Sequence, residues 1–195
     1  MPQLGFPVFL SPRGLWAGWV GLMVTVVGCG DRGTGRTAAD QPPPPTVITL
    51  EELRSADYPA DILDRAMVRL TGGAFPPADS SGEPIATLEL AEVVAIAPPG
   101  VEVAQAAVVI RESGGGTGTF SWLHLLERRD GPPRVVASAF LGDRVDLVGL
   151  RLSGDTVTVR LVTQGPTDPL CCPTMEVVKR FVRMGAELLE ARREP

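Results

Sequence analysis

The chain has one histidine, His124, and three cysteines, Cys29, Cys171 and Cys172. Neither set has the spacing of a zinc site: Cys-x-x-Cys is missing, and there is no second histidine to complete a tetrahedral set. Basic charge is also short. Lys and Arg number 18 against 23 Asp and Glu, a formal charge of -5. Only Arg13 is charged before Cys29, so a chain beginning at Cys29 would stand at -6. A nucleic-acid partner demands a basic face against phosphate, so that class is excluded. A basic amphipathic membrane binder is excluded for the same reason. Long apolar runs are lacking too. A membrane-crossing helix needs about 20 apolar residues for a core of about 30 Å, whereas the uncharged stretch Leu15 to Gly28 supplies 14.

What that stretch does fit is the apolar region of a secretory signal, here residues 1–28. Its end, Val26-Val27-Gly28-Cys29, resembles a bacterial lipobox, in which a small residue precedes the cysteine. The resemblance implies acylation of the Cys29 thiol and cleavage that makes Cys29 the new N-terminus. Each buried methylene contributes about 0.8 kcal/mol, and stable anchoring needs more than one acyl chain. A diacylated or triacylated Cys29 meets that need. Gly30, not aspartate, follows the cysteine, so the pattern lacks an inner-membrane retention signal. The expected location is the extracytoplasmic face of the envelope, anchored by lipid, at the outer membrane if the cell has one.

Asp31 to Thr46 reads DRGTGRTAADQPPPPT, without apolar period and ending in Pro42 to Pro45. Such a segment buries too little surface to offset its ordering entropy, and its prolines favour extended polyproline. Residues 29–46 are therefore expected to be a lipidated cysteine and a disordered tether. Residues 47–195 are expected to form one globular domain.

That domain should open with a capping box, Thr49-Leu-Glu-Glu52, starting a helix to about Ala56 that Tyr58-Pro59 stops. A further helical turn is expected from Asp61 to Arg65. Strand signals follow: Met67 to Leu70, Ala86 to Ala97, Gln105 to Glu112, Phe120 to Glu127, Arg134 to Leu141, Val145 to Leu152, Thr156 to Thr163 and Glu176 to Arg183. Leu188 to Arg192 reads as a strand or a terminal helical turn. Within Phe120 to Glu127, alternation puts Phe120, Trp122 and His124 on one face and Leu123 and Leu125 on the other. Ser153-Gly-Asp155 is a hairpin signal. The expected fold is α+β, mainly β: an antiparallel sheet of about six to eight strands with a short N-terminal helix. One sheet face should carry that helix or fold on itself.

Three segments taken together, Gly114-Gly-Gly-Thr-Gly-Thr-Phe120, Phe140-Leu-Gly-Asp-Arg-Val145 and Val162-Thr-Gln-Gly-Pro-Thr-Asp-Pro-Leu-Cys-Cys-Pro-Thr174, resemble envelope proteins related to the LppP/LprE lipoproteins. The resemblance covers roughly Leu53 to Met184. It implies a lipoprotein of the cell envelope and supplies no catalytic residues. Many such proteins carry an acidic loop before the third strand. Here that place reads Pro98-Pro-Gly-Val-Glu-Val-Ala-Gln105, and Glu102 alone cannot satisfy calcium, which takes six to eight oxygens.

In an oxidising compartment with Cys29 acylated, Cys171 and Cys172 have each other or another molecule as partner. Adjacent α-carbons lie about 3.8 Å apart, shorter than the about 4.4 to 6.8 Å that disulfides favour. A bond between them would be a stiff local device that closes almost no loop. Three uses are open: a rigid loop with the ring or two packed thiols, a redox-responsive pair, or soft-metal binding by Cys171, Cys172 and Met175. No other pattern carries chemistry. Ser113 to Thr119 lacks the Gly-Lys-Ser/Thr ending of a phosphate loop and a strand follows it. Asp143-Arg144 reads as a turn with a surface ion pair. His124 reads as a satisfied structural histidine, and Ser121 beside it lies on the opposite strand face, so no Ser-His-Asp set is formed. No cofactor is implied. These signals favour a non-enzymatic lipoprotein that binds or supports another envelope component or ligand, with a redox or soft-metal role as the alternative.

Overall fold

The computed structural model describes residues 47–76, 82, 86–98, 103–169 and 171–191, all within a compact unit that spans Pro42–Pro195. Cys29, the signal and the tether therefore lie outside the described residues, as does Glu102. Among the described residues no helix is long and apolar enough to cross a membrane.

The domain opens as its first turn dictates. Thr49 caps helix α1, Leu50–Arg54, and its hydroxyl accepts from the Glu52 N–H at 3.3 Å. The Glu52 carboxylate accepts in return from the Thr49 N–H at 2.8 Å. Both halves of the capping box are present. Burial raises the Glu52 pKa, but hydrogen bonds from Thr49 and the charge and hydrogen bond of Arg128 outweigh it and hold the carboxyl below its ordinary value.

Twelve strands follow among the described residues. β1 (Asp57–Ala60) and β2 (Ala66–Arg69) form a small antiparallel pair joined through a 3₁₀ turn, Asp61–Leu63. The other ten make one sheet. They are β3 (Ala74–Phe75), β4 (Thr87–Leu90), β5 (Ala95–Ile96), β6 (Ala104–Ser113), β7 (Phe120–Arg128), β8 (Arg134–Asp143), β9 (Asp146–Ser153), β10 (Thr156–Thr163), β11 (Met175–Met184) and β12 (Glu187–Glu190). The order is β3-β4-β6-β7-β8-β12-β11-β10-β9, with β5 also on β6.

The fold is thus mainly β and mostly antiparallel, with one short helix. Two features differ from expectation. The main sheet has ten strands, not about six to eight, because β3 and β5 are two-residue pairings too short to leave a periodic signal. It is also not wholly antiparallel: β12 joins β8 in parallel at one register position, Glu187 opposite Ser138. The C-terminal stretch is a strand, β12.

β6 and β7 sit at the centre because their sequence cannot be left half-wet. Val108, Val109, Ile110, Leu123, Leu125 and Leu126 are all essentially buried. A run that is apolar on both sides needs both faces covered. One face packs Ala106, Val108, Ile110 and Leu126 against Leu53 of α1, Tyr58 of β1, and Ile48 and Leu70, which flank α1 and β2. The other packs Ala107, Val109, Leu123 and Leu125 against Val157, Val159, Leu161, Phe181 and Leu188. Residues from distant strands of one sheet share that second core, so the sheet curls over itself. Both expected coverings, helix and self-folding, occur.

A bulge helps the curl. Gly149 pairs with Arg160, but the next partner of Leu161 is Leu147, which leaves Val148 over. The extra residue lets Leu147 and Leu150 both join the same core. At the β9–β10 turn Gly154 has φ +55, a conformation that disfavours a side chain, as the hairpin signal required.

Thr49→Ala should cost about 1 kcal/mol of stability, measured by urea unfolding. No measurable loss would show that the capping box does not hold the start of the domain.

Candidate functional site: an aromatic groove over a buried histidine

The register of β6, β7 and β8 lays out the site. On the face covered by α1 and β1, Glu112 stands opposite Phe120, Ile110 opposite Trp122 and Val108 opposite His124. From β8, Phe140 stands opposite Trp122 and Ser138 opposite His124. Phe120, Trp122 and His124 share one face, and Leu123 and Leu125 enter the core behind it. The side-chain period of two decides this arrangement.

The aromatic rings form a cluster. Phe140 lies with its ring centroid 5.1 Å from that of Trp122 and 6.4 Å from that of Phe120, both tilted. Such tilted pairs are favourable beyond their buried area. Yet the cluster is not closed over: Phe140 is 48% exposed and Phe120 38%. Large apolar rings left in water beside a hollow make this the candidate site of the domain.

The hollow is a cavity of about 450 Å³ lined by Trp122, His124, Ser138, Phe140, Leu188 and Leu189 among others, with Asp61, Arg65, Glu187 and Glu190 also in its lining. A second hollow of about 360 Å³ shares Asp61, Trp122 and Phe140 and extends the groove to Ile62, Glu112 and Phe120. The cavity exists because β12 meets β8 at one position only. Beyond Ser138 the ladder stops, and Ala139, Phe140, Leu188 and Leu189 line a gap. A wider hollow of about 1230 Å³ over β10 and β11 has no buried residue in its lining, which makes it a shallow surface and not a comparable site.

The opposite wall is the 3₁₀ turn after β1, and Glu112 fixes it. This buried carboxylate accepts from the backbone N–H of Asp61 at 3.1 Å and of Ile62 at 2.9 Å. Burial raises the Glu112 pKa against the pull of those two N–H groups. Arg65, with φ +61, carries its guanidinium to Asp61 at 3.3 Å on the rim.

His124 is buried, with Nδ1 2.8 Å from Ser138 Oγ. Its Nε2 is buried and has no hydrogen-bond partner. The expectation of a satisfied histidine therefore holds for one ring nitrogen only. Tyr58 packs its ring 5.7 Å away and donates its hydroxyl to the Leu53 carbonyl at 2.9 Å. Burial drives the imidazole pKa down to about 3. The ring is neutral at neutral pH and too weak a base to take the Ser138 proton there, so the pair is not an activated nucleophile. It can exchange hydrogen bonds as an uncharged group.

The remaining candidates lie at other places. The glycine loop Ser113–Thr119 meets the Asp143–Arg144 turn: Asp143 Oδ1 accepts from the Thr119 N–H at 2.9 Å, and Arg144 donates to the Thr117 carbonyl at 3.0 Å. Asp143 and Arg144 also pair with each other at 3.0 Å. The loop is therefore a clamped connection that delivers Phe120 to the groove. Cys171 and Cys172 are bonded to each other, both are exposed, and neither lines the groove. Exposure removes the variant of the rigid-loop reading in which the sulfurs are packed. Asp168 holds their loop, accepting from the N–H of Gly165 at 2.8 Å and of Thr174 at 2.7 Å. Those bonds keep its carboxyl below the ordinary aspartate value. Met175 begins β11 and is 40% exposed. Among the described residues no group of three His, Cys, Asp or Glu is gathered for a metal.

Sequence reading placed Phe120, Trp122 and His124 together but missed Ser138, Phe140, Glu112 and the 3₁₀ turn as their partners. Their separations, 14 residues for His124–Ser138 and 50 for Ile62–Glu112, leave no local trace. No family model, curated protein or solved structure matches the chain.

A pH series tests the buried histidine. Between about 6.5 and about 3 the unfolded chain holds a proton on His124 that the folded chain refuses. The contribution is full above the unfolded value and is lost as pH falls, by about 1.4 kcal/mol per pH unit. Glu112, with its raised pKa, acts in the opposite sense and is common to wild type and variant. His124→Gln should therefore flatten the acid slope of unfolding free energy between about pH 6 and pH 4.5. Identical slopes would contradict the buried neutral ring.

Proposed function

We propose that the chain is a cell-envelope lipoprotein, held at the membrane by acyl chains on Cys29. Its β domain is a non-enzymatic binding module whose ligand or partner meets the aromatic groove of Phe120, Trp122 and Phe140. The observation that carries the binding role is the exposed aromatic cluster beside a cavity of about 450 Å³. Cavities of this size are the usual form of a small-ligand site. The anchor rests on different support: the apolar stretch Leu15 to Gly28 and the Val26-Val27-Gly28-Cys29 pattern, together with the resemblance to LppP/LprE-related lipoproteins. Residues 29–46 then act as the spacer between membrane and domain.

A second reading has one observation in its favour. The Cys171–Cys172 bond is exposed, so small thiols can reach it. The pair would then respond to the redox state of the compartment without touching the groove.

Intact mass of chain recovered from membranes tests the anchor. The expected species begins at Cys29 and carries the added mass of acyl chains, whereas Cys29→Ser keeps Met1 and no lipid. An unmodified native chain beginning at Met1 would overturn it. For the groove, pull-down from membranes with the lipidated protein should yield a partner that Phe140→Ser loses; equal recovery would remove the groove from the interaction. For the second reading, alkylation should label neither Cys171 nor Cys172 before mild thiol treatment and both after it. Labelling without reductant, or none after it, would contradict the redox role.

A further inference from the structure

The cavity beside the aromatic cluster carries an imbalance of charge. Its lining holds the carboxylates of Asp61, Glu187 and Glu190 against one guanidinium, that of Arg65. Arg65 is engaged by Asp61 at 3.3 Å, and Lys179 reaches Glu190 at 3.5 Å. Glu187 has no ion-pair partner among the described residues. His124 adds no positive charge at neutral pH, because burial keeps its ring neutral. The surplus in the cavity is therefore negative, and it rests on Glu187.

Strand register brings that surplus to the rings. Glu187 of β12 stands opposite Ser138 of β8, and residues opposite each other in a ladder share a face. Phe140, two residues beyond Ser138, shares that face as well. The β8–β12 contact is parallel, so Leu189 follows Glu187 in the direction in which Phe140 follows Ser138. Trp122 stands opposite Phe140 on β7. Glu187 and Leu189 thus form one flank of the Trp122–Phe140 floor, and the 3₁₀ turn with Asp61 forms the other.

The floor selects the kind of positive charge. An aromatic ring is negative on its face and attracts a cation placed over it, Trp more strongly than Phe. A bare metal ion does not suit the place. Calcium takes six to eight oxygens, and no group of three His, Cys, Asp or Glu is gathered among the described residues. A primary ammonium carries three N–H donors that need acceptors once water leaves, and the side chains of Trp122, Phe140, Leu188 and Leu189 supply none. An alkylated ammonium has fewer donors or none, and its methyl groups suit the same apolar walls. An anion would face the unpaired charge of Glu187. The volume of about 450 Å³ is that of a small-molecule site.

We infer that the groove takes a small organic cation, an alkylated ammonium on an apolar body, seated over Trp122 and Phe140 beside Glu187. This rests on the groove being the binding face. It adds the chemical class of the ligand and the residue that reads its charge.

Choline, 3,3-dimethylbutanol and 3,3-dimethylbutanoate test the assignment. The first two have the same shape and differ by a charged nitrogen in place of a carbon; the third is an anion of similar shape. Titration calorimetry on full-length protein should show choline binding about three- to thirtyfold tighter than 3,3-dimethylbutanol, and the anion weakest. Benzyltrimethylammonium, with its larger apolar body, should bind more tightly than choline. Glu187→Gln should weaken choline about two- to fivefold and leave 3,3-dimethylbutanol unchanged. Phe140→Leu, at an exposed position that stays apolar, should lower the preference for choline while 3,3-dimethylbutanol still binds. Dihexanoyl phosphatidylcholine below its micellar concentration should bind no better than choline; tighter binding would make the source a lipid headgroup and overturn the small-molecule assignment. Equal affinity for choline and 3,3-dimethylbutanol, tighter binding of the anion, or no binding by any probe overturns the cation. The groove reading falls with it only if Phe140→Ser also recovers the membrane partner as well as wild type does.

Discussion

Everything in this domain depends on covering β6 and β7 from both sides. The two strands carry apolar side chains on both faces, from Ala104 to Ile110 and from Leu123 to Leu126. Backbone hydrogen bonds are met by the ladder with each other and with β4 and β8. The side chains need two separate coverings. Helix α1 and the β1–β2 pair supply one, and the sheet supplies the other by curling until β10, β11 and β12 reach back across it. The buried residues of each covering belong to a cluster that includes residues of this pair.

The groove is a by-product of those two coverings meeting imperfectly. The 3₁₀ turn comes from the first covering and is pinned by Glu112 at the end of β6. β12 comes from the second and shares one ladder position with β8, Glu187 opposite Ser138. Between them, β7 and β8 are left with Trp122, His124, Ser138 and Phe140 facing a space that neither wall fills. A buried histidine with one unpaired nitrogen departs from the rule that buried polar groups find partners. Such departures concentrate at functional sites. The same wall arrangement buries the ring deeply enough to keep it neutral at neutral pH, with Ser138 as the partner of Nδ1.

What could be read from the chain alone follows the range of the signal. The Thr49–Glu52 box was legible because its partners are three residues apart. The face shared by Phe120, Trp122 and His124 was legible because strand alternation is local. The Ser153–Thr156 hairpin announced itself through Gly154. β1 did not, because Pro59 reads as a breaker although it pairs with Met67 at an edge. The parallel contact of β12 with β8 has no local marker at all. The site was half legible for the same reason: one strand's face could be read, while Ser138, Phe140 and Glu112 are brought to it by register and topology. The double cysteine, the loudest signal in the sequence, lies outside the groove.

Hydrogen exchange resolved to individual amides tests the central claim most directly. Amides deepest in the fold open only with global unfolding, whereas those in separable units open earlier. If both cores are built on β6 and β7, the amides of Val108, Val109, Ile110, Leu123 and Leu125 should be the slowest in the domain, with β9 to β11 and the β1–β2 pair exchanging faster. Slowest exchange in β10 and β11, with β6 and β7 opening first, would show that the curled part of the sheet is the foundation and that the central pair merely leans on it.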